Sequence, residues 1–336
     1  MANGFARAGS AVVPNIVRAG GHDQVPDSIR FHIMINEAAG SVDDLDRQKQ
    51  EIEAAFAAVG VEPTVQAVDP ADLGDEMRRA WGTGVDAVIV AGGDGTVSGA
   101  AGVAVEHQIT LGVLPLGTFN HFAGDLGIPD SLDRAAAWLA SARPMNVDAA
   151  EVNGTTFVNN ASIGVYPKMV KIRDEIRERR GWGKIRAVPV AMASTLKRLP
   201  IHHFSMSVDG GTAMQRATPF LFVVNGLLDA GGTRVGERQS LDEGHLGIYV
   251  TATRSRLRLI ADAITARFRG IDRTGSTERF VATSLEVGGN EQVVPIALDG
   301  EPMEMKLPLV FRSRPGALRV LGPVGEDDGA APNDEH

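Results

Sequence analysis

The chain has 336 residues, 43% hydrophobic and 22% charged, a balance that places it among globular proteins and excludes disordered or fibrous classes. Its length suits two domains. It contains no cysteine, which removes disulfides, thiolate metal sites and cysteine nucleophiles together and suits a reducing cytoplasm.

The formal charge of −9 argues against general nucleic-acid binding, although the tail GEDDGAAPNDEH holds five of the acidic residues. No apolar run approaches the ~20 residues needed to span a bilayer, and the opening stretch lacks a secretory pattern, so any contact with lipid is expected to be peripheral. There is no His-Glu-x-x-His spacing and no Gly-x-Ser-x-Gly elbow, so zinc and serine hydrolase readings have no local support.

Residues 1–28 and 323–336 are rich in Gly, Ala, Pro and Asp with little periodicity and are expected to be disordered ends. From 29 to 146, short apolar runs alternate with helical segments. FHIMIN reads as a strand, and residues 41–60 as a helix with Ser41 or Asp43 at its N-cap and Gly60 at its stop. VDAVIVAG and ITLGVLPL read as buried strands, VSGAAGVAVEHQ and SLDRAAAWLASA as helices. This alternation predicts an open, mostly parallel α/β sheet.

From 147 to 322 the texture becomes β-rich. Two runs flank Asn153-Gly154, a strong hairpin signal, and Asp209-Gly210-Gly211 repeats the pattern. Further strands are expected in HLGIYVTATRS, RFVATSLEVGG, VPIALDGEPMEMKL and GALRVL, interrupted by helices within 168–198 and in SRLRLIADAITARFRG. The second half is expected to be a mainly antiparallel β-sandwich, with the last strand packing back on the first domain.

The richest stretch for chemistry is Val88 to Asn120. An apolar strand runs into Gly92-Gly93-Asp94-Gly95-Thr96 and then directly into a helix. Glycines let the backbone approach a ligand closely, and the N–H groups of a helix start attract anions. A plain strand-to-helix turn with Thr96 as N-cap is the alternative. A second glycine-bearing loop, Pro115-Leu116-Gly117-Thr118-Phe119-Asn120, follows the next strand, so both loops fall on the carboxyl edge where ligands of such sheets bind.

These two elements, at this spacing, resemble the diacylglycerol kinase catalytic-domain family, which includes bacterial lipid kinases and the sphingosine kinases. The likeness extends from Phe31 to about Leu321. Asn36-Glu37-Ala38-Ala39-Gly40 lies where that family has a nucleotide loop, FVNNASIG resembles the strand that opens its second domain, and Asp299-Gly300-Glu301 matches its Asp-Gly-Glu, whose glutamate is taken as general base. A bare Asp-Gly is also a type I′ hairpin turn.

The resemblance implies an ATP- and Mg²⁺-dependent lipid kinase acting on diacylglycerol or a related lipid. It implies nucleotide contacts at Asn36, Gly40, Gly92, Gly93, Asp94, Gly95, Thr96, Gly117, Thr118 and Asn120, with Glu301 and Asp94 catalytic. It also implies a second metal site, for which Ser240, Glu243 and His245 are the matching residues. The lipid would be met at a membrane surface, with a homodimer as a further expectation.

Four positions depart from the pattern: Glu37, Ser41, Ser98 and His121 stand where proline, lysine, asparagine and aspartate are usual. Residues 168–198 carry ten basic and three acidic residues around Trp182, which suits an anionic membrane surface or, more blandly, a solvated helix. A kinase for a sphingoid lipid or NAD, or a non-catalytic nucleotide- or lipid-binding regulator, remain as alternatives.

Overall fold

The computed structural model of the protein describes residues 29–37, 42–118, 120–164, 201–228, 240–252 and 276–323 together with Arg238, Ser255 and Arg258. The expectations that fall on residues 1–28, Ala38 to Ser41, Phe119, the basic segment 168–198, the helix at 255–270 and the tail beyond 323 lie outside this set, apart from Ser255, Arg258 and Pro323.

The first half alternates strand and helix as expected: β1 (Phe31–Asn36), α1 (Val42–Ala57), β2 (Thr64–Val68), α2 (Leu73–Gly82), β3 (Ala87–Gly92), α3 (Asp94–His107), β4 (Leu111–Pro115), α4 (His121–Asp125) and α5 (Leu132–Ser141). Gly60 ends α1 at φ 78, and the bonds from Val61 N–H to Phe56 O (3.0 Å) and from Gly60 N–H to Ala57 O (3.0 Å) close a Schellman motif. The four strands are parallel in the order β2-β1-β3-β4. Chain order reverses between β1 and β3, so a crevice opens at their carboxyl ends, at Asn36 and Gly92. β3 and β4 are buried throughout, because helices cover both faces of such a sheet.

The second half contains β5 (Arg143–Val152), β6 (Thr155–Phe157), β7 (Asn160–Gly164), β8 (His202–Val208), β9 (Met214–Thr218), β10 (Phe220–Asn225), β11 (Leu246–Thr251), β12 (Thr277–Ala282), β13 (Ser284–Gly289), β14 (Val293–Leu298), β15 (Glu301–Lys306) and β16 (Leu309–Gly322). One sheet has the order β12-β11-β10-β7-β14-β15 and is antiparallel. The other is the parallel sheet continued, β4-β16-β13-β8-β9, with β5 against β16 and β6 against β5. Inner faces of both sheets share a core that includes Phe157, Phe204, Leu221, Ile248, Ile296 and Phe311. Burying each of these large apolar side chains is worth about 1.5–3 kcal/mol before ordering costs.

The last strand does pack back on the first domain, and more fully than its six-residue signal suggested. β16 is 14 residues long, pairs in parallel with β4 at Val320, and runs antiparallel to β5 with a register shift between Arg314 and Leu318. The expected boundary at residue 146 thus falls inside β5, a continuous strand. The single run RFVATSLEVGG proves to be two strands in different sheets, β12 and β13, with the chain crossing at Thr283.

That crossing is held by Asp209, whose Oδ1 accepts from Thr283 N–H (2.9 Å), Thr283 Oγ1 (2.9 Å), Ser284 N–H (2.8 Å) and Ser284 Oγ (3.3 Å). Burial pushes the Asp209 carboxyl up, but the hydrogen bonds from Ser284 and Thr283 outweigh it and hold the group below its ordinary 3.8. A depressed folded pKa contributes stability above pH 3.8 that is lost as pH falls through the folded value. Asp209→Ala is therefore expected to cost no more than about 1 kcal/mol at neutral pH, since this exposed carboxylate is screened by solvent. Urea denaturation as a function of pH should show the gap from wild type narrowing as the medium is acidified below 3.8.

Candidate active site

Sterics decide the shape of the first glycine loop. A Cβ on Gly92 would stand 2.7 Å from Thr96 Oγ1, and one on Gly95 would stand 2.9 Å from Glu301 Oε1. A Cβ on Gly117 would stand 2.5 Å from Gly93 Cα and 2.7 Å from Asn120 Oδ1. The two loops therefore touch backbone to backbone, with Leu116 N–H also donating to Gly92 O at 3.1 Å. Both lie at the carboxyl edge of the parallel strands, side by side.

Gly93 is the N-cap of α3, and no side chain caps that end. N–H groups of a first helical turn have no intrahelical acceptor and carry the positive end of the helix dipole, so they suit an anion. Thr96 was the candidate N-cap; instead it lies within the first turn, and its Oγ1 accepts from Asn36 Nδ2 at 2.7 Å. That bond ties the end of β1 to the start of α3 across the switch point.

Asn120 adopts the left-handed conformation at φ 51, which asparagine tolerates better than most residues. Its Oδ1 accepts from Gly117 N–H and its Nδ2 donates to Gly117 O, each at 3.0 Å. It thus shapes the second loop, while Thr118 is exposed at the tip. Asp94 Oδ1 accepts from His121 N–H at 2.8 Å, so the first acidic residue of one loop binds the helix start that follows the other. The side chain at 121 is not needed for this bond, which the backbone supplies.

Asp299 and Gly300, at φ 47 and 92, form the two-residue turn between β14 and β15, with Leu298 paired to Glu301. The hairpin and the acidic motif coincide in one element. Glu301 is exposed, and its carboxylate stands over Gly95. Asp299 is 7% exposed and accepts from Ser98 Oγ (2.6 Å), Val158 N–H (2.9 Å), Asn159 N–H (2.7 Å) and Asn160 N–H (2.9 Å). Burial pushes its carboxyl up, opposed by those four hydrogen bonds.

Two clefts meet at Gly95, Gly99 and Glu301. One of about 550 Å³ lies over the parallel sheet and is lined by Asn36, Val68, Pro70, Gly93 and Thr96. The other, about 780 Å³, runs between α3 and the β-sandwich past Ser98, Thr156, Met303 and Arg314. Glu301 is thus the acidic side chain at the junction. Of the sequence-predicted nucleotide contacts, Asn36, Gly93, Gly95 and Thr96 line the smaller cleft, and Gly92, Gly117 and Asn120 build the loops beside it. Gly40 lies outside the described residues.

Ser240, Glu243 and His245 sit elsewhere, in the turn before β11. Glu243 Oε2 is buried with no hydrogen-bond partner, which fits a hard cation seeking an oxygen ligand. Ser240 Oγ is bonded to Asp242 Oδ1, and His245 is exposed, its carbonyl accepting from Gly226 N–H at 2.8 Å. Only Glu243 of this trio presents an unpartnered buried oxygen, and no group of three His, Asp or Glu side chains converges among the described residues.

The composition and motifs gave no sign of Asp148 or Arg238. Asp148, 3% exposed, accepts from Gly244 N–H (2.5 Å) and Gly316 N–H (2.8 Å), clamping that turn to the β16 bulge. Arg238 Nε donates to Asp125 Oδ2 at 2.8 Å and Nη1 to Val158 O at 2.7 Å, with the guanidinium 5.6 Å from the Phe122 ring centroid. Partners so far apart in the chain leave no local pattern.

An open parallel sheet with paired glycine loops at its carboxyl edge, faced by an acidic hairpin from a β-sandwich, defines the architecture. Residues 30–152 match the family described as "Diacylglycerol kinase catalytic domain", and residues 161–322 match "YegS C-terminal NAD kinase beta sandwich-like domain". The chain belongs to the diacylglycerol kinase catalytic-domain family, a lipid kinase family. It is 28% identical over 285 residues to the "Probable lipid kinase YegS-like" of Pseudomonas aeruginosa, covering 82% of this chain and 91% of the relative.

A protein of the same name from Chromohalobacter salexigens is 27% identical over 256 residues, covering 74% of this chain and 79% of the relative. The solved structure titled as a diacylglycerol kinase from Bacillus anthracis str. Sterne shares the fold, with a TM-score of 0.63, 20% identity, and coverage of 88% of this chain and 97% of that one.

The paired glycines give a direct test. Gly117→Ala forces a side chain against Gly93 backbone and is expected to cost about 1–3 kcal/mol, as overpacking does. Gly99→Ala meets open space and should leave stability unchanged within about 0.5 kcal/mol. Thermal melting of the two variants beside wild type checks both.

Proposed function

We propose that the protein is an ATP-dependent lipid kinase that transfers the γ-phosphoryl group to a hydroxyl of diacylglycerol or a related glycerolipid. The observation that carries this reading is the carboxylate of Glu301 standing over Gly95, where the two clefts meet. Phosphoryl transfer needs donor and acceptor held in line with a proton acceptor beside the attacking oxygen.

The smaller cleft, with the α3 N–H groups and the Gly93–Gly117 contact at its edge, takes the triphosphate. The larger takes the head of the lipid. Glu301 then accepts the hydroxyl proton as that oxygen bonds to the γ-phosphorus and the bond to the β–γ bridging oxygen breaks, releasing ADP. The N–H groups of α3 carry the phosphate charge. Asp94 is the residue that would hold Mg²⁺ here, its carboxylate being a hard oxygen donor beside the cradle, and Mg²⁺ would neutralise the charge on the phosphates. Glu243 would serve a second cation away from the chemistry.

No helix among the described residues is long and apolar enough to cross a membrane. The lipid is met at a membrane surface, for which the basic run within 168–198 has the right charge.

Incubation with labelled ATP and separate diacylglycerol, sphingoid base, phosphatidylglycerol and NAD arms, with the product identified by mass, tests the acceptor. A label that appears only on NAD, or on nothing, overturns the lipid reading. Glu301→Gln keeps the shape and removes the proton acceptor. It is expected to lower kcat by about 10²-fold or more while nucleotide affinity, read by calorimetry, changes little. Turnover near wild type in that variant would remove Glu301 from the role of base.

A further inference from the structure

Glu301 is an exposed side chain on the first residue of a strand, so burial does not hold it. A base in phosphoryl transfer nevertheless has to be kept in place to a fraction of an ångström. What fixes it is the backbone that carries it, and that backbone is pinned by Asp299, two residues earlier.

The Asp299 carboxylate receives three consecutive N–H groups from Val158, Asn159 and Asn160, and its own N–H donates to Asn160 O at 2.8 Å. These contacts all lie within the β-sandwich. The fourth donor does not. Ser98 Oγ, 201 positions away in sequence, reaches Asp299 Oδ2 at 2.6 Å from α3. Ser98 is three residues after Gly95, so both lie on one face of α3. That face meets the β14–β15 turn twice, at Gly95 with Glu301 and at Ser98 with Asp299.

We infer that Ser98 and Asp299 form a positioning pair that sets Glu301 against the glycine loop: Asp299 anchors the turn that presents the glutamate, and Ser98 ties that turn to α3 across the cleft. This rests on the reading of Glu301 as the base. Neither residue exchanges a proton with substrate; both act through the placement of Glu301.

Removing the Asp299 carboxylate strands three buried N–H groups, and Asp299→Ala is expected to unfold the turn outright. Ser98→Ala is the sharper probe, because it removes the tie and leaves those three bonds. It is expected to lower kcat about tenfold, less than the roughly 10²-fold that a 1 Å misplacement can cost, with KM for ATP within about twofold of wild type. Ser98→Thr restores the hydroxyl and should restore kcat. Amide exchange at Gly300 and Glu301 should quicken severalfold in Ser98→Ala and not in Ser98→Thr, a readout independent of any lipid.

The proposal is overturned if Ser98→Ala leaves both kcat and exchange at the turn unchanged, or if Ser98→Thr behaves as Ser98→Ala does. Glu301→Gln, run beside them, separates the two claims. If that variant turns over normally, the base assignment fails whatever the serine variants do. If it is inactive while Ser98→Ala matches wild type in both readouts, the positioning pair alone fails.

Discussion

Burying an ionisable carboxyl group costs several kcal/mol unless its oxygens are answered, and the Asp299 carboxyl is answered four times. The geometry of the candidate site depends on that one group. It receives the start of β7, carries the turn between β14 and β15, and takes a hydroxyl from α3. The same peptide that donates to it, Val158, presents its carbonyl to Arg238 Nη1 and to Asn225 Nδ2 at 3.0 Å. Val158 is therefore gripped from both sides, once by a carboxyl that leads to Glu301 and once by a guanidinium that leads through Asp125 to α4. The two halves of the protein meet along β16 in the sheet and through these polar bonds at the cleft.

The glycines act by a different kind of constraint, which is absence. At Gly117 the Gly93 backbone and the Asn120 amide occupy the space that a methyl group would need, and at Gly95 a Cβ would stand 2.9 Å from the Glu301 carboxylate. Neither of these two needs a left-handed φ, so their requirement is contact rather than torsion. Asn120, by contrast, is required by torsion: it sits at φ 51 and holds Gly117 with both ends of its amide. Each residue type in these loops answers one specific demand.

Much of this was legible because it is local. Strand, glycine turn and helix from Val88 to His107 follow from the order of apolar and small residues, and Asp299-Gly300 announces a type I′ turn from two letters. The approach of Glu301 to Gly95 followed only from a family resemblance, since 206 positions separate them. The Ser98–Asp299 bond and the Arg238–Asp125 pair had no signal at all, for the same reason: hydrogen bonds between distant residues leave no periodicity. β12 and β13 merged in the sequence because no glycine or proline marks Thr283, where the chain changes sheets. β16 looked short because Pro315 and Gly316 read as a break, while the strand absorbs them as a bulge whose Gly316 N–H is taken by Asp148.

In the role proposed for it, Glu301 works from an exposed position at the head of β15, where alignment is the main demand that phosphoryl transfer makes. In a loose transition state the attacking hydroxyl loses its proton late, and most of the catalytic work is alignment and the spreading of charge over fixed donors. Under that chemistry the carboxylate proposed as base needs above all a distance from the nucleophile that does not wander. A two-residue hairpin anchored by a buried carboxyl supplies such a fixed distance, and a helix start lined with N–H groups supplies the charge. Position is what this arrangement of residues is built to deliver.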